Sequence, residues 1–165
     1  YCQHDAHVLP FPDRTFDLVT CRIAPHHFTD VVCFLEEVVR VAQIGAMVGI
    51  IDNSTPVDSL AARHINAFER LRDKSHNHTY TYFDWNNFFD EVGLKVEHLH
   101  EYRKTVNFRA YCDRKAVSAL RRTQLKVMLV HAPKAALASL KPRNVDGEFV
   151  FDLQETLIVG RLIVD

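Results

Sequence analysis

Paired imidazoles, a strand-end thiol and a few helix-end cations are the groups in this sequence that could do chemistry. His26-His27 puts adjacent imidazoles on a loop, and an imidazole titrates near neutrality, so one of them could act as general base. The competing reading packs one ring under the loop and leaves the other in water. Cys21 could offer a thiolate, but spacing fixes no histidine beside it, and a free cysteine often serves as a small buried apolar group. Arg72 and His76 stand in the run Arg72-Asp73-Lys74-Ser75-His76. There they could line a substrate opening, with Arg72 meeting a carboxylate or phosphate. The plainer reading, and the preferred one, is a cation at the negative end of a helix. His76-x-His78 and His98-x-His100 could each share a strand face. No carboxylate or cysteine joins them at ligand spacing, and ten histidines make chance pairs common, so no metal is assigned. Trp85, Phe88 and Phe89 read as core and lid packing rather than an aromatic cage.

These groups need elements to hold them. Leu9-Pro10-Phe11-Pro12-Asp13 is loop punctuation, and residues 16–21 then form a short β-rich run. Thr29-Asp30 can cap a helix whose apolar positions Val31, Phe34, Leu35, Val38, Val41 and Ala42 keep helical spacing. Residues 46–51 are continuously apolar, as in a strand buried on both faces. Strand, helix and strand in that order make a βαβ unit. Pro56-Val57-Asp58 opens a helix reaching Arg72. Asp84 is expected to cap a short helix stopped by Gly93. Residues 94–101 alternate as a strand, with Leu94, Val96 and His98 on one face and Lys95, Glu97 and Leu99 on the other. Residues 113–130 have helical spacing, and Pro133 starts a further helix. Asn144-Val145-Asp146-Gly147 is turn chemistry between strands. Residues 148–153 and 156–164 read as the closing strands, the second interrupted by Gly160-Arg161.

The chain has 165 residues, 47% hydrophobic and 25% charged, with net charge -1. It suits one α/β domain, 1–165, with no global field to attract nucleic acid or anionic lipid. No apolar run reaches the ~18–20 residues of a membrane span. Cys2, Cys21, Cys33 and Cys112 are widely spaced, so a reducing cytoplasm is expected rather than a disulfide scaffold. The chain starts at Tyr1 rather than Met, and the expectation is that a segment precedes it.

Asp5-Ala6, residues 9–13, residues 16–22, His26-His27-Phe28, residues 37–41, Asp52, residues 71–76, Phe151-Asp152-Leu153 and residues 157–160 together resemble the UbiE-like (type-11) class I methyltransferases. The resemblance covers almost the whole chain, and its first block is the most specific. It implies an incomplete Rossmann-like sheet of about four strands, mixed, with a C-terminal antiparallel hairpin and flanking helices. It also implies S-adenosylmethionine as cofactor and a small-molecule methyl acceptor. Asp5 and Ala6 would meet the adenine, and the Thr20, Cys21 and Arg22 backbone would face the methionine end. His26 and His27 would roof the methyl-transfer position. The family's GxGxG turn lets the backbone approach the cofactor. None of this chain's five glycines makes one. The expectation is therefore a truncated domain that alone binds the cofactor weakly or not at all. The alternative is a non-catalytic interaction module, a homodimer through an exposed sheet edge.

Overall fold

Helices and strands alternate along the first half of the computed structural model, which describes residues 3–163. Cys2 and Val164, each part of an expectation above, lie outside the described residues. In chain order the elements are β1 (Phe16–Arg22), a 3-10 turn (Pro25–His27), α1 (Val31–Val41), β2 (Ala42–Ser54), α2 (Ser59–Arg72) and α3 (Tyr82–Glu91). There follow β3 (Leu94–Asn107), α4 (Phe108–Asp113), α5 (Ala119–Val130), α6 (Lys134–Leu140), β4 (Arg143–Val145) and β5 (Glu148–Leu162). No helix is long and apolar enough to cross a membrane among the described residues.

The strands form one mixed sheet of five, in the order β1-β2-β5-β3, with β4 beside β5. β1 and β2 are parallel, with Val19 opposite Val48 and Cys21 opposite Ile50. β5 runs antiparallel between β2 and β3, and β4 closes on it as the expected hairpin. Phe151 and Ile158 are an odd number of residues apart on β5, so they point to opposite faces. α1 and α3 cover the face of Ile158, where Leu35, Val38, Ile50, Trp85 and Phe89 are buried together. α2, α4, α5 and α6 gather around Phe151, with Phe68, Tyr111, Leu125 and Leu129. Burying each such large side chain contributes roughly 1.5–3 kcal/mol. Gly160 permits the close contact on the α3 side: a Cβ there would stand 2.8 Å from Phe89 Cδ1 and 3.1 Å from the Lys95 carbonyl.

The caps explain where helices start. Asp30 accepts from Cys33 N, and Asp58 accepts from Ala61 N. At α3 the cap is Thr81, not Asp84: Asp84 is the third helical residue and reaches back to the Thr81 backbone in a capping box. The continuous helix expected over 113–130 is broken. Asp113 ends α4, Ala116 takes a left-handed φ of 48°, and Ser118 caps α5 anew, so the expected stretch is helical again only from Ala119. The two closing strands are one. Gln154 and Glu155, between the two expected strands, are satisfied in place by Ser139 and Lys104, and Gly160-Arg161 continue the same strand without a break. A bulge between Val96 and His98 reverses the alternation of β3, so Leu99, rather than His98, packs against the α1–α3 core.

Candidate functional site

Because β1 and β2 are parallel neighbours, their carboxyl ends open to the same side, where open α/β sheets bind ligands. β1 leaves the sheet sharply. Ile23 adopts a φ of 51°, rare for a β-branched residue and sustained only where the surroundings fix it. Its N–H donates to the Ile51 carbonyl at 2.8 Å, and Pro25 then starts the turn carrying His26 and His27.

Asp52, at the end of β2, is 1% exposed. Its Oδ2 accepts the His26 backbone N–H at 2.7 Å. Its Oδ1 accepts His26 Nδ1 at 2.6 Å and the Asn53 N–H at 2.9 Å. A carboxylate only accepts, so His26 is held as the Nδ1–H form with Nε2 left as the acceptor. His27 lies against it, ring centroids 4.1 Å apart. Its Nδ1 donates to the Ser75 carbonyl at 2.9 Å, which fixes the same tautomer. His76 sits behind His26, 5.6 Å away centroid to centroid. It is buried, and its Nε2–H donates to Asn66 Oδ1 at 2.9 Å. Burial is the first cause that pushes its pKa down to about 3, and the nearby Arg70 charge adds to it.

Two cavities flank this point. A polar cleft of about 310 Å³ is walled by Arg22, Ile23, His26, His27 and Asn53 from the strand ends, and by Arg72, Asp73, Tyr111, Arg114 and Lys115 from α2, α4 and the residues that follow each. An apolar groove of about 350 Å³ runs beside β1, walled by Ala6, Thr20 and Cys21 with Phe28, Phe34 and Val38 among others. Ala6, Thr20 and Cys21 are thus brought together, while Arg22, His26, His27 and Arg72 face the other cavity. Asp5 stands on the exposed loop before the groove, its Oδ1 accepting His7 N at 2.9 Å and His7 Nδ1 at 2.6 Å. His7 thereby holds the Asp5 carboxyl below its usual range. His76 lies on neither wall. The Cys21 thiol is pushed up to about 12 by burial and by the Asp52 charge, so it stays protonated at neutral pH. Among the described residues no three His, Cys, Asp or Glu side chains gather as a metal site.

Sequence reasoning gave no role to Asp52, although a carboxylate ending an apolar run was a visible signal. Tyr111, Arg114 and Lys115 had none, because only the fold carries α4 to the strand ends.

A methyltransferase domain family matches residues 1–50. A protein of Bacillus halodurans C-125 assigned as a methyltransferase superposes with a TM-score of 0.92 at 33% identity, over 99% of this chain and 78% of that one. The chain belongs to the methyltransferase family. YcgJ of Bacillus subtilis, an uncharacterised methyltransferase, is 32% identical over 134 residues, 81% of this chain and 53% of its own length. Its crystal structure superposes with a TM-score of 0.92 over 99% of this chain. The C-methyltransferase UbiE of Xanthomonas oryzae is 39% identical over 54 residues, 33% of this chain and 21% of its own. This methyltransferase chain spans about half, 53%, of the length of the curated relatives YcgJ and YafE of Escherichia coli.

Proposed function

We propose that the complete protein transfers a methyl group from S-adenosylmethionine to a small-molecule acceptor at the carboxyl ends of β1 and β2. The observation that carries this reading is the buried Asp52 carboxylate, which takes both the backbone N–H and the ring Nδ1–H of His26, a wall residue of the polar cleft. Bound there, the cofactor supplies an electrophilic sulfonium methyl. The chain's own part is alignment and proton handling. An acceptor in the cleft meets the imidazoles of His26 and His27, whose free Nε2 atoms can take its proton, and Asp52 balances the charge when it is His26 that does so.

The residues present fit part of the cofactor. Ala6, Thr20 and Cys21 wall an apolar groove suited to a flat ring, and Asp5 Oδ2 is open to accept an exocyclic amine beside it. The groove wall includes no carboxylate for ribose hydroxyls, and the sequence no GxGxG. Titration of S-adenosylmethionine and S-adenosylhomocysteine by calorimetry, with the mass in solution recorded alongside, tests the reading. Binding near micromolar, by the chain alone or by a self-assembled form, supports it. No binding by this chain or by the complete protein overturns it.

A second reading is supported by the edge of the sheet. β1 has a strand partner on one side alone among the described residues, and Leu18 on it is 55% exposed. Such an edge pairs readily with a second copy. A dimer that binds no cofactor would favour this interaction module.

A further inference from the structure

We propose that the polar cleft recognises an anionic group, carboxylate or phosphate, on the methyl acceptor, gripped between Arg22 and Arg114 with Arg72 as a fixed third donor. The inference rests on the methyl-transfer reading for the ligand's identity as acceptor, and on the cleft's own charges for its chemistry.

The cleft wall holds five permanent cations: Arg22, Arg72, Lys104, Arg114 and Lys115. Three are matched, Arg72 by Glu69 at 3.0 Å, Lys104 by Glu155 at 2.8 Å and Lys115 by Asp73 at 2.5 Å. Arg22 and Arg114 have no carboxylate partner among the described residues. The whole chain carries a net charge of -1, so this surplus is a local feature of the cleft. Guanidinium groups sharing one cavity without a counterion repel each other, and an anion between them relieves that repulsion. The planar fork of arginine also matches carboxylate and phosphate oxygens in a bidentate way.

Arg72 is already in place. Its guanidinium carbon lies 3.6 Å from the Tyr111 ring centroid. Its Nε donates to the Tyr111 carbonyl at 3.3 Å and its Nη1 to Glu69 at 3.0 Å. Nη2 has no acceptor among the described residues. The buried Tyr111 is itself fixed, its hydroxyl donating to Glu69 Oε1 at 2.6 Å. Arg114 stands 5.2 Å from the same ring. Arg22 reaches the cleft from the end of β1 and Arg114 from the end of α4, and His27 lines the same cavity, so an acceptor held by its anion shares the cleft with an imidazole.

The test is an NMR titration of the ¹⁵N-labelled chain with sodium phosphate, and separately with sodium acetate, at constant ionic strength, reading the arginine Nε–H signals. Saturable shifts at Arg22, Arg72 and Arg114 with either anion are expected. The preference between the two anions tells phosphate from carboxylate. Arg22→Gln and Arg114→Gln should each weaken binding about tenfold or more, the loss of a charge-assisted hydrogen bond. Arg121→Gln removes the same charge outside the cleft and should leave binding unchanged. Shifts that grow without saturating, or an equal loss in Arg121→Gln, would overturn the proposal. Displacement of the anion by S-adenosylhomocysteine would also overturn it, by making the site that of the cofactor's own carboxylate. Phosphate binding where neither this chain nor the complete protein binds the cofactor would sink the methyl-transfer reading and leave the anion site standing.

Discussion

Asp52→Asn preserves shape and removes an acceptor, so it isolates what the buried carboxylate does. Its oxygens receive three N–H donors, from the His26 backbone, the His26 ring and the Asn53 backbone. An amide offers a single acceptor oxygen. Whichever way it turns, its NH₂ meets another donor. At 1% exposure, water does not relieve the conflict. A hydrogen bond to a charged group contributes about 1.5–3 kcal/mol, and a stranded buried donor costs about 1–3 kcal/mol. The expected loss is about 2–4 kcal/mol of unfolding free energy, a large share of the roughly 5–15 kcal/mol typical of a domain. Urea unfolding followed by circular dichroism and by Trp85 fluorescence measures it. Long-range ¹H–¹⁵N spectra report the His26 tautomer in parallel. A loss below about 0.5 kcal/mol, within the range of an ordinary surface substitution, with His26 still in its Nδ1–H form, would refute the argument.

Gly160→Ala should destabilise by about 1–3 kcal/mol, because its new methyl meets Phe89 and the Lys95 carbonyl. Pairing it with Phe89→Leu should recover part of that loss in the same unfolding assay, and no recovery would place the strain elsewhere. His76 makes a pH prediction. Its folded pKa of about 3 lies below the value of about 6.5 for a free imidazole. Between those values the unfolded chain binds a proton that the fold excludes, so stability is full above about pH 6.5 and falls with pH toward 3. His76→Gln should move the acid-unfolding midpoint to lower pH in near-ultraviolet circular dichroism, and an unmoved midpoint would count against the burial argument.

The sheet was legible wherever a local pattern met a local cause. The apolar run of β2, the Asp30 and Asp58 caps and the Asp146-Gly147 turn all act within a few residues. What the pattern hid was set by partners distant in sequence. Gln154 and Glu155 stay in a strand because Ser139 and Lys104 wait for them, and the bulge in β3 depends on the register against β5. The same division holds for the site. Adjacent imidazoles stand out in any sequence. The Asp52 contact to His26 spans 26 residues, and the Tyr111 contact to Glu69 spans 42, distances at which spacing carries no signal.

The position of β5 has a consequence for how the molecule comes to be folded. Of the described strands it is the last in the chain, yet it lies between β2 and β3. A nascent chain therefore carries two strand edges that cannot meet their neighbour until residues 148–162 have left the ribosome. The pairing of Ser54 with Gln154 closes a loop of about a hundred residues, and such non-local closure slows folding and exposes sticky edges in the interval. Synthesis rate and chaperone supply, more than final stability, should set the yield of this protein in a cell.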